Sequence, residues 1–529
     1  VRGVRDTDWF DPAETPECAI VVPPGHWVDG FAEAVRPLAA FRQAQGLRTR
    51  VIDAEDIYNA FSDGLAQPEA FVRFCAAGVT NGAPSALKYL LFAGYASSDY
   101  KLEVFRLGEQ RPYPALFPLL LFPQVEASQS AALMLPNDHA LGDVGGGAEP
   151  EVAVGRFLAT NAVELAAMVD KTIRYELTAA WKRKAIFTAD WQNVGDKYAN
   201  FTGISSNTAT RFEGGGWTLA RFFPGPNDSY LYPYWENWET GTGAHFELQA
   251  GSGFFYYVGH SSDTIAGSTS QNKLFDSATF KTANWPFAPV AVLMGCRMGR
   301  WTLLDLREQQ QCIAEAAVRN RDSAFVAAIS SAGYSTTGDA ALFSYAFGDE
   351  IMAGARRLGD AWLGAFESLG HSFSARSRHI ALLGDPALCL SANETARGTP
   401  TAWLIARGLT GDPYADLADQ DGDAFATWQE YQAGTDPARA VVRIRAFAPP
   451  SPDGSGRPLI FEPIGGRTYR VVSCTNLADG VWQPLPWRPD ASADWSWSGI
   501  PAVWPILTVE VPADAQERRR FYKVEAIGE

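Results

Sequence analysis

Several features that would indicate a nucleic-acid-binding or membrane protein are missing from this sequence of 529 residues. It has no Lys/Arg-rich segment, and 60 acidic residues against 44 basic ones give a formal net charge of −16 at pH 7. A chain without a basic face is a poor match for phosphate backbones, so we expect no nucleic-acid partner. No apolar stretch reaches the roughly 18 residues that a membrane-spanning helix needs, so no transmembrane segment is predicted.

Cysteine is also scarce. The six cysteines are scattered without a CxxC pair, at Cys18, Cys75, Cys296, Cys312, Cys389 and Cys474. This spacing excludes a Cys-rich zinc site, and we predict no disulfide framework. Several of these cysteines lie inside apolar runs, where a cysteine is most often a small core residue.

The overall composition is that of an ordinary folded protein, with 47% hydrophobic and 20% charged residues. A chain of this length is expected to divide into about three domains. Shifts in pattern predict an N-terminal segment at 1–17, an N-terminal α/β subdomain at 18–150 and a second α/β subdomain at 151–395. A linker at 396–437 and a small all-β sandwich domain at 438–529 follow, because the last part alternates short strands with Trp, Pro and Gly.

Short apolar runs alternate with helical patterns before the linker, which predicts a parallel α/β layer. Residues 254–259 lead directly into His260, and residues 290–295 lead into Cys296. The spacing leaves room for one crossover connection between two adjacent parallel strands. Because active sites of α/β proteins lie at the carboxyl ends of such strands, the two side chains are expected to meet there.

A cysteine and a histidine in that position can form a thiolate–imidazole pair for nucleophilic catalysis. Main-chain N–H groups of Ser261 and of Cys296 itself are the expected donors to the oxyanion that develops during acyl transfer. From Cys296 and His260 alone, the alternative interpretation is a buried thiol and a hydrogen-bonded core histidine.

The segments around these two residues resemble the gingipain-like cysteine peptidases of peptidase family C25. The resemblance lies in an ordered set of segments rather than in one specific motif, namely 150–176 (PEVAVGRFLATNAVELAAMVDKTIRYE), 256–262 (YYVGHSS), 292–299 (VLMGCRMG), 312–318 (CIAEAAV), 324–335 (AFVAAISSAGYS) and 382–390 (LLGDPALCL). It implies a caspase-like α/β/α catalytic region in two subdomains, with Cys296 as the nucleophile and His260 as the general acid–base. An acid just past the preceding strand orients the imidazole in this family, which implies Asp190 here, with Glu213 as the alternative.

One residue departs from the family pattern. The family usually shows Gly-His-Gly, whereas Ser261 follows His260 in this chain. A serine main-chain N–H still donates to an oxyanion, but its side chain can narrow the site or shift the backbone.

The resemblance also implies a substrate pocket, formed by Asp196, Tyr334, Gly338, Asp339 and Leu342. Relatives often cut after a basic residue that an acid in the pocket recognises, so Asp196 or Asp339 is expected to favour a basic residue at P1. Gly338 stands where the Arg-specific relatives carry a large aromatic residue, which predicts a wider or differently shaped pocket.

An acidic loop lies in the linker. Positions 1, 3, 5, 7, 9 and 12 of a twelve-residue calcium loop are occupied by Asp419, Asp421, Asp423, Phe425, Thr427 and Glu430. Oxygen ligands at this density favour Ca²⁺ over transition metals. The segment resembles thrombospondin type-3-like and dockerin-like calcium loops, although Ala424 replaces the usual glycine at position 6. We expect a structural calcium ion that stiffens the linker; an acidic linker without metal is the alternative.

These features predict a secreted bacterial cysteine endopeptidase, extracellular or at the cell surface, that acts on a protein or peptide substrate. Two alternatives stay open: a sortase-like transpeptidase and a non-catalytic surface or structural protein that keeps the fold. The terminal domain looks like a fibronectin-type sandwich that attaches or spaces the enzyme. Because tryptophan is highly buried on average, four of its tryptophans are expected in the core, with a binding face as the alternative, namely Trp482, Trp487, Trp495 and Trp497.

Overall fold

The computed structural model describes most of the first 390 residues and shorter stretches beyond them. The described residues are 15–80, 87–97, 116–124, 133–150, 151–177, 183–190, 200–213, 217–223, 244–267, 274–302, 311–390, 395, 397, 399, 403–404, 407–409, 414–423, 425–433, 436–438, 444–447, 456–461, 468–475, 482–490, 492–501, 507–512 and 521–526. The chain divides into two compact units, Val1–Ala392 and Asn393–Glu529.

Strands and helices alternate through the first unit. Its described strands are β1 (Cys18–Val22), β2 (Thr49–Asp53), β3 (Tyr89–Ala93), β4 (Ala96–Ser97), β5 (Phe117–Pro118), β6 (Leu121–Gln124), β7 (Leu133–Pro136), β8 (Ala153–Phe157), β9 (Lys184–Ala189), β10 (Thr218–Phe222), β11 (Phe254–Val258), β12 (Ile265–Ala266), β13 (Phe275–Asp276), β14 (Val290–Met294), β15 (Ala327–Ser331) and β16 (Ile380–Leu383). Its described helices are α1 (Phe31–Ala44), α2 (Ala54–Phe61), α3 (Glu69–Thr80), α4 (His139–Gly142), α5 (Ala162–Leu177), α6 (Phe201–Arg211), α7 (Ala244–Gln249), α8 (Ser277–Lys281), α9 (Ile313–Arg319), α10 (Thr337–Ala353), α11 (Leu358–Leu369) and α12 (His371–Arg376).

Ten of the described strands form one central sheet, in the order β10-β9-β11-β14-β15-β16-β8-β3-β1-β2. Neighbouring strands are parallel except β15 and β16, which are antiparallel. The sheet therefore consists of two parallel halves of opposite direction, and the expected parallel layer holds within each half but not across this joint. Strands β8 and β16, which lie beyond residue 150, belong to the same half as β1, β2 and β3.

Three neighbouring strands in the half of the sheet that runs from β10 to β15 are buried along their whole length. Every residue of β11, β14 and β15 is buried. Parallel strands that are covered on both faces need apolar residues at successive positions, which is why these strands appear in the sequence as continuous apolar runs. This architecture confirms the α/β class and the caspase-like arrangement expected for the chain.

Helix α10 follows β15 in the chain, and capping residues mark both of its ends. The hydroxyl of Thr336 accepts the main-chain N–H of Asp339 at 3.0 Å, which satisfies one of the free donors of the first turn. The helix ends at Gly354, whose φ of +104° lies in the left-handed region that favours glycine.

The second unit contains helix α13 (Thr427–Ala433), a 3₁₀ turn (Ala415–Leu417) and short strands. The described strands are β17 (Ile444–Phe447), β18 (Gly456–Phe461), β19 (Thr468–Cys474), β20 (Gln483–Leu485), β21 (Ile500–Pro501), β22 (Leu507–Pro512) and β23 (Phe521–Ala526). They form two antiparallel sheets, β17-β18-β22 and β20-β19-β21, with β23 also paired to β19.

Both small sheets contribute to one apolar core. Leu459 and Val509 of the first sheet are buried together with Val471 and Val524 of the second. Two sheets that share a core in this way have the arrangement of a small sandwich.

The expectation that four tryptophans lie in this core holds only in part, because Trp487 packs against the core and the other three are not among its residues. Trp497 is 72% exposed, and Trp482, Trp487 and Trp495 are half-buried. The guanidinium of Arg488 lies 4.4 Å from the ring centroid of Trp495. The buried residues of this core are Leu459, Phe461, Tyr469, Val471, Ile500, Val509, Val511 and Val524.

Candidate active site

The topology brings three of the predicted catalytic residues to the same end of the sheet. Strand β11 lies between β9 and β14, and Val258 pairs with Ala189 on one side and with Met294 on the other. Asp190 therefore follows the end of β9, while His260 and Cys296 each follow two residues after the ends of β11 and β14. This is the crevice outside the carboxyl ends of parallel strands, where α/β proteins place their sites.

The main chain of His260 is held from two sides. The carboxylate of Asp190 accepts the main-chain N–H of His260 at 3.1 Å, and the hydroxyl of Tyr257 donates to the carbonyl of His260 at 2.6 Å. Asp190 is completely buried. The imidazole ring itself makes an edge contact with Phe201, at 5.0 Å between ring centroids. These contacts fix the segment from which the imidazole projects.

Two glycines make the close approach of these loops possible. A Cβ atom at Gly259 would lie 2.2 Å from Cβ of Asp190 and 2.4 Å from the hydroxyl oxygen of Tyr257. A Cβ atom at Gly295 would lie 2.3 Å from Oγ of Ser261. Real Cβ atoms do not approach other atoms so closely, so each glycine is required by packing next to a predicted catalytic residue.

Cys296 differs from the other cysteines of the chain in its exposure. All six cysteines lie in the described residues, and Cys296 alone is half-buried while the other five are buried. Burial raises the pKa of the Cys18 thiol to about 12 and that of Cys312 well above its usual value. A buried thiol with a raised pKa is inert, whereas an accessible one is available to a substrate.

The sulfur of Cys296 lies 3.7 Å from the carbonyl oxygen of Ser335 in the loop after β15. A thiol is a weak donor, and this distance suits an S–H···O contact. The loop after β15 therefore contacts the sulfur directly, and it comes from the segment that the sequence assigns to the substrate pocket.

The peptide bond that follows Cys296 is also held at both ends. Its carbonyl accepts the hydroxyl of Ser261 at 2.8 Å, and its N–H, on Arg297, donates to the carbonyl of Gly333 at 2.8 Å. Arg297 has a φ of +61°, in the left-handed region that non-glycine residues seldom adopt.

The predicted pocket residues begin in the same loop. Tyr334 is half-buried, and its main-chain N–H donates to the side-chain oxygen of Gln124 at 2.7 Å while its carbonyl accepts the Gln124 amide at 2.8 Å. Gly338 and Leu342 lie on the first turns of α10, and the Leu342 side chain is 44% exposed. A Cβ atom at Gly338 would have its nearest neighbour at 3.9 Å, so the space beside it is open.

Of the two acids predicted for the pocket, one has a partner in the structure and the other lies outside the described residues. The carboxylate of Asp339 forms an ion pair with Arg376, at 2.8 Å, and accepts the hydroxyl of Thr336 at 2.9 Å. Asp196 lies outside the described residues. A basic substrate side chain would have to compete with Arg376 for the Asp339 carboxylate.

The two acids expected as the residue that orients the His260 imidazole differ in their contacts. Glu213 is exposed at the end of α6 and is paired with Arg221, whereas Asp190 contacts His260 directly. The sequence gives no sign of Tyr257, Phe201 or Gln124 as site residues, because each reaches the site through packing or through a residue distant in sequence.

The acidic loop of the second unit brings its first three acids together. Asp419, Asp421 and Asp423 each offer a carboxylate oxygen, and these oxygens lie within 4.8 Å of one another. Glu430 is buried on α13. The hydroxyl of Thr427 donates to the carbonyl of Ala418 at 2.9 Å, which closes the loop onto the start of the helix.

The conformation of this loop fits a cation. Gly422, with a φ of +77°, makes the turn, and the carboxylate of Asp419 accepts the N–H of Gly422 at 2.8 Å. Burial, followed by the charges of Asp423 and Asp419, raises the pKa of Asp421 to about 6. A divalent cation would relieve the electrostatic repulsion between these neighbouring carboxylates, so the donor set suits Ca²⁺.

Comparisons with known proteins agree with this fold. Peptidase family C25 matches residues 11–391. The Arg-specific cysteine proteinase gingipain R is similar in structure, with a TM-score of 0.52 at 14% identity over 100% of this chain and 94% of that chain. The complex of Porphyromonas gingivalis RgpB pro- and mature domains matches with a TM-score of 0.51 at 14% identity, covering 97% of this chain and 93% of that chain. A comparison with curated proteins finds no match.

The fold and these comparisons define a cysteine-type peptidase of caspase-like architecture. The chain belongs to Peptidase family C25. Membership of this family implies a protein or peptide substrate. Among the helices that the structure describes, none is long and apolar enough to cross a membrane.

Proposed function

We propose that this chain is an endopeptidase in which Cys296 is the nucleophile and His260 is the general acid–base. The observation that carries the proposal is the position of Cys296. It is the half-buried member of the six described cysteines, and it follows β14, directly beside the strand that ends just before His260. A reactive thiol needs both access and a neighbouring base, and the half-buried position of Cys296 next to the strand that precedes His260 supports this assignment.

The proposed reaction begins when His260 takes the thiol proton of Cys296. The thiolate attacks the carbonyl carbon of the scissile bond, and the main-chain N–H groups of Ser261 and Cys296 stabilise the oxyanion that forms. The imidazolium of His260 then protonates the departing amine, which leaves a thioester on Cys296. Water, deprotonated by His260, hydrolyses the thioester, releases the carboxylic acid product and restores the thiol.

Asp190 is proposed as the third member of the group. Its buried carboxylate accepts the main-chain N–H of His260, and it lies one residue after β9, whose last residue Ala189 pairs with Val258. A buried negative charge beside the histidine stabilises the imidazolium that forms during the reaction.

A thiol probe combined with peptide cleavage tests the proposal. The wild-type protein, under reducing conditions with calcium, is expected to be labelled at Cys296 by iodoacetamide and to cleave a peptide library. Cys296→Ala is expected to lose both properties, while Cys312→Ala, a substitution at a buried cysteine, keeps them. Cleavage that persists in Cys296→Ala would refute the proposed nucleophile.

Cleavage products of the same library separate hydrolysis from transpeptidation. If a sortase-like reaction operates, an added amine appears covalently joined to the new carboxyl terminus, because it competes with water for the thioester. Products that carry only a free carboxylate indicate hydrolysis.

A basic P1 preference is part of the proposal, with Asp196 or Asp339 as the acid. What supports Asp339 is its place at the start of α10, three residues after Thr336 and four after Ser335, whose carbonyl contacts the Cys296 sulfur. Arg376, which is half exposed, would have to release the carboxylate when a basic side chain binds. Mass-spectrometric mapping of cleavage sites checks this point, and cuts without Arg or Lys at P1 would exclude it.

We also propose that the acidic loop binds one structural Ca²⁺ through Asp419, Asp421, Asp423, Phe425, Thr427 and Glu430. The grouped carboxylate oxygens and the buried Glu430 support this ligand set, in which Phe425 would supply its main-chain carbonyl. The ion would neutralise repelling carboxylates and so stiffen the linker; no step of the peptidase reaction depends on it. Isothermal titration with CaCl₂ tests the site, and the absence of binding heat together with an unchanged melting temperature would exclude it.

An extracellular or cell-surface location completes the proposal. Calcium loops in extracellular modules are typically tuned to roughly 10⁻⁴–10⁻³ M, a concentration found outside cells. A dissociation constant in this range supports the location, and a submicromolar one argues against it. Attachment through the sandwich domain predicts that deletion of residues 438–529 releases the enzyme from the cell surface.

A further inference from the structure

Two loops of the candidate site are joined by a side chain that the family pattern does not contain. Ser261 stands where the family usually has glycine, and its hydroxyl donates to the carbonyl of Cys296 at 2.8 Å. The residue after the proposed general acid–base thus holds the main chain of the proposed nucleophile.

The packing around Gly295 supports the contact between the Ser261 hydroxyl and the Cys296 carbonyl. Gly295 precedes the nucleophile, and a Cβ atom there would lie 2.3 Å from Oγ and 3.0 Å from Cβ of Ser261. The Ser261 side chain therefore occupies the space that any larger residue at position 295 would need. Serine at one position and glycine at the other are complementary in shape.

The same peptide bond is held from the opposite direction. The N–H of Arg297 donates to the carbonyl of Gly333 at 2.8 Å, in the loop that also places Ser335 against the Cys296 sulfur. Arg297 has a φ of +61°, which sterics disfavour for a residue with a Cβ atom. A backbone in this conformation persists where surrounding contacts fix it, and here both ends of the peptide unit are hydrogen-bonded.

A second pair of contacts joins the two loops beside the first. The carboxylate of Asp263 lies 3.4 Å from Nη1 of Arg297 and 3.6 Å from Nη1 of Arg300. These ion pairs hold the loops near each other, but they act on side chains. The Ser261 hydroxyl acts on the peptide unit that carries the Cys296 carbonyl, so it contributes directly, together with the Gly333 carbonyl, to the orientation of that unit.

We propose that Ser261 is a positioning residue that sets the orientation of Cys296 relative to His260 and to the oxyanion donors. This proposal rests on the proposed function, since it assigns a role within the Cys296–His260 site. Ser261 carries one proposed oxyanion N–H on its main chain and holds the nucleophile with its side chain. Loss of the hydroxyl would let the peptide unit after Cys296 rotate, which misplaces the thiol for attack without removing any substrate contact.

Steady-state kinetics of Ser261→Ala, Ser261→Gly and Ser261→Thr on a cleaved library peptide test the proposal. Removal of the hydroxyl in the Ala and Gly variants is expected to lower kcat by roughly three- to tenfold, the effect of one hydrogen bond, with KM unchanged. Threonine keeps the hydroxyl and is expected to restore kcat. The matched control is Ser262→Ala, because that hydroxyl oxygen accepts only local N–H groups, of Thr264 and Ile265, in the described contacts.

Iodoacetamide alkylation of Cys296, followed by mass spectrometry across pH 5–9, provides a readout that does not require proteolysis. The alkylation rate of the Ser261→Ala protein is expected to differ at least threefold from wild type, at equal melting temperature, while Ser262→Ala matches wild type. An unchanged kcat and alkylation profile in Ser261→Ala and Ser261→Gly would overturn the positioning role. If wild-type protein shows no Cys296-dependent cleavage, the proposed function fails, and the alkylation rates still decide whether Ser261 positions the thiol.

Discussion

The carboxylate of Asp190 accepts the main-chain N–H of His260 at 3.1 Å, so a completely buried acid fixes the backbone of the proposed general acid–base. The contact engages the main chain of His260, while the imidazole ring packs edge-on against Phe201. Since general acid–base catalysis typically contributes 10²–10⁴-fold, loss of this arrangement should be visible in kinetics.

Asp190→Ala is therefore expected to lower kcat/KM on the order of 100-fold. Asp190→Asn keeps an acceptor oxygen for the His260 N–H but removes the charge, so its pH–rate profile shows how much the charge contributes. Glu213→Ala, which removes the exposed partner of Arg221, is expected to leave kcat/KM unchanged. Equal losses in Glu213→Ala and Asp190→Ala, or full activity in Asp190→Ala, would contradict the assignment of Asp190.

The two glycines beside the proposed catalytic residues, Gly259 and Gly295, give a second prediction. Gly259→Ala and Gly295→Ala each force a Cβ atom into space within 2.2–2.3 Å of a neighbouring atom. Overpacking of this kind typically costs about 1–3 kcal/mol and shifts the backbone, so both variants should lose stability and most activity. Gly147→Ala is the control, because nothing lies within 4 Å of its added Cβ atom. Thermal melting and kcat/KM measure the effect; a wild-type melting temperature in Gly259→Ala would refute the packing argument.

Much of the sheet can be predicted from the sequence, because parallel strands covered on both faces need apolar residues at every position. The runs at 254–259 and 290–295 coincide with β11 and β14 to within one residue. Strand β10 has no such run, since residues 218–222 are partly exposed at the edge of the sheet. The antiparallel joint between β15 and β16 was not predictable from periodicity, which carries no information on strand direction.

The candidate site, too, can be predicted from the sequence only in part. The positions of His260 and Cys296 follow from where two apolar runs end, and this part of the prediction needs only strand lengths. The bond from Ser261 to the Cys296 carbonyl depends on the conformations of two loops, and the contact between Gln124 and Tyr334 joins residues 210 positions apart. Neither residue composition nor spacing encodes these contacts.

Two buried histidines predict how stability depends on pH. Burial lowers the pKa of His139 to about 3, with a further contribution from the charge of Arg378, and lowers the pKa of His379 to about 4. Because the folded pKa values lie below the ordinary value of 6.5, the unfolded chain binds protons that the folded chain does not as pH falls below 6.5. Stability is therefore full above pH 6.5 and declines toward the folded pKa values, by about 2 kcal/mol per histidine at pH 5.

Melting temperatures at pH 7.5 and pH 5.0 check this dependence. His139 packs against Trp362 and Phe366, so His139→Phe keeps an aromatic ring in the same surroundings but cannot titrate. Its melting temperature is expected to fall less between the two pH values than that of the wild type. His26→Gln, at an exposed histidine, should behave as wild type. A pH dependence in His139→Phe as steep as in wild type would exclude His139 as a source of the effect.

The acidic loop gives a prediction that combines metal removal with pH. Burial and the neighbouring charges of Asp423 and Asp419 raise the pKa of Asp421 to about 6, above its ordinary value of 3.8. Without metal, the folded loop binds a proton between these pH values that the unfolded chain does not, so this carboxyl costs stability as pH rises toward 6. If the loop binds Ca²⁺ as proposed, the ion would take the place of the proton, so binding should be strong above pH 6 and should weaken below it, where the ion has to displace a proton.

Calorimetric melting with excess Ca²⁺ or with EGTA measures this effect. At a Ca²⁺ concentration of about 100 times the dissociation constant, the second unit should gain about 2.7 kcal/mol at pH 7.5 and clearly less at pH 5. Asp421→Asn removes one ligand charge and should lose most of the gain, whereas Asp494→Asn, at an exposed acid of the same unit, should keep it. Equal Ca²⁺ stabilisation in Asp421→Asn and Asp494→Asn would mean that the ion acts elsewhere, and the acidic loop would then be a linker without metal.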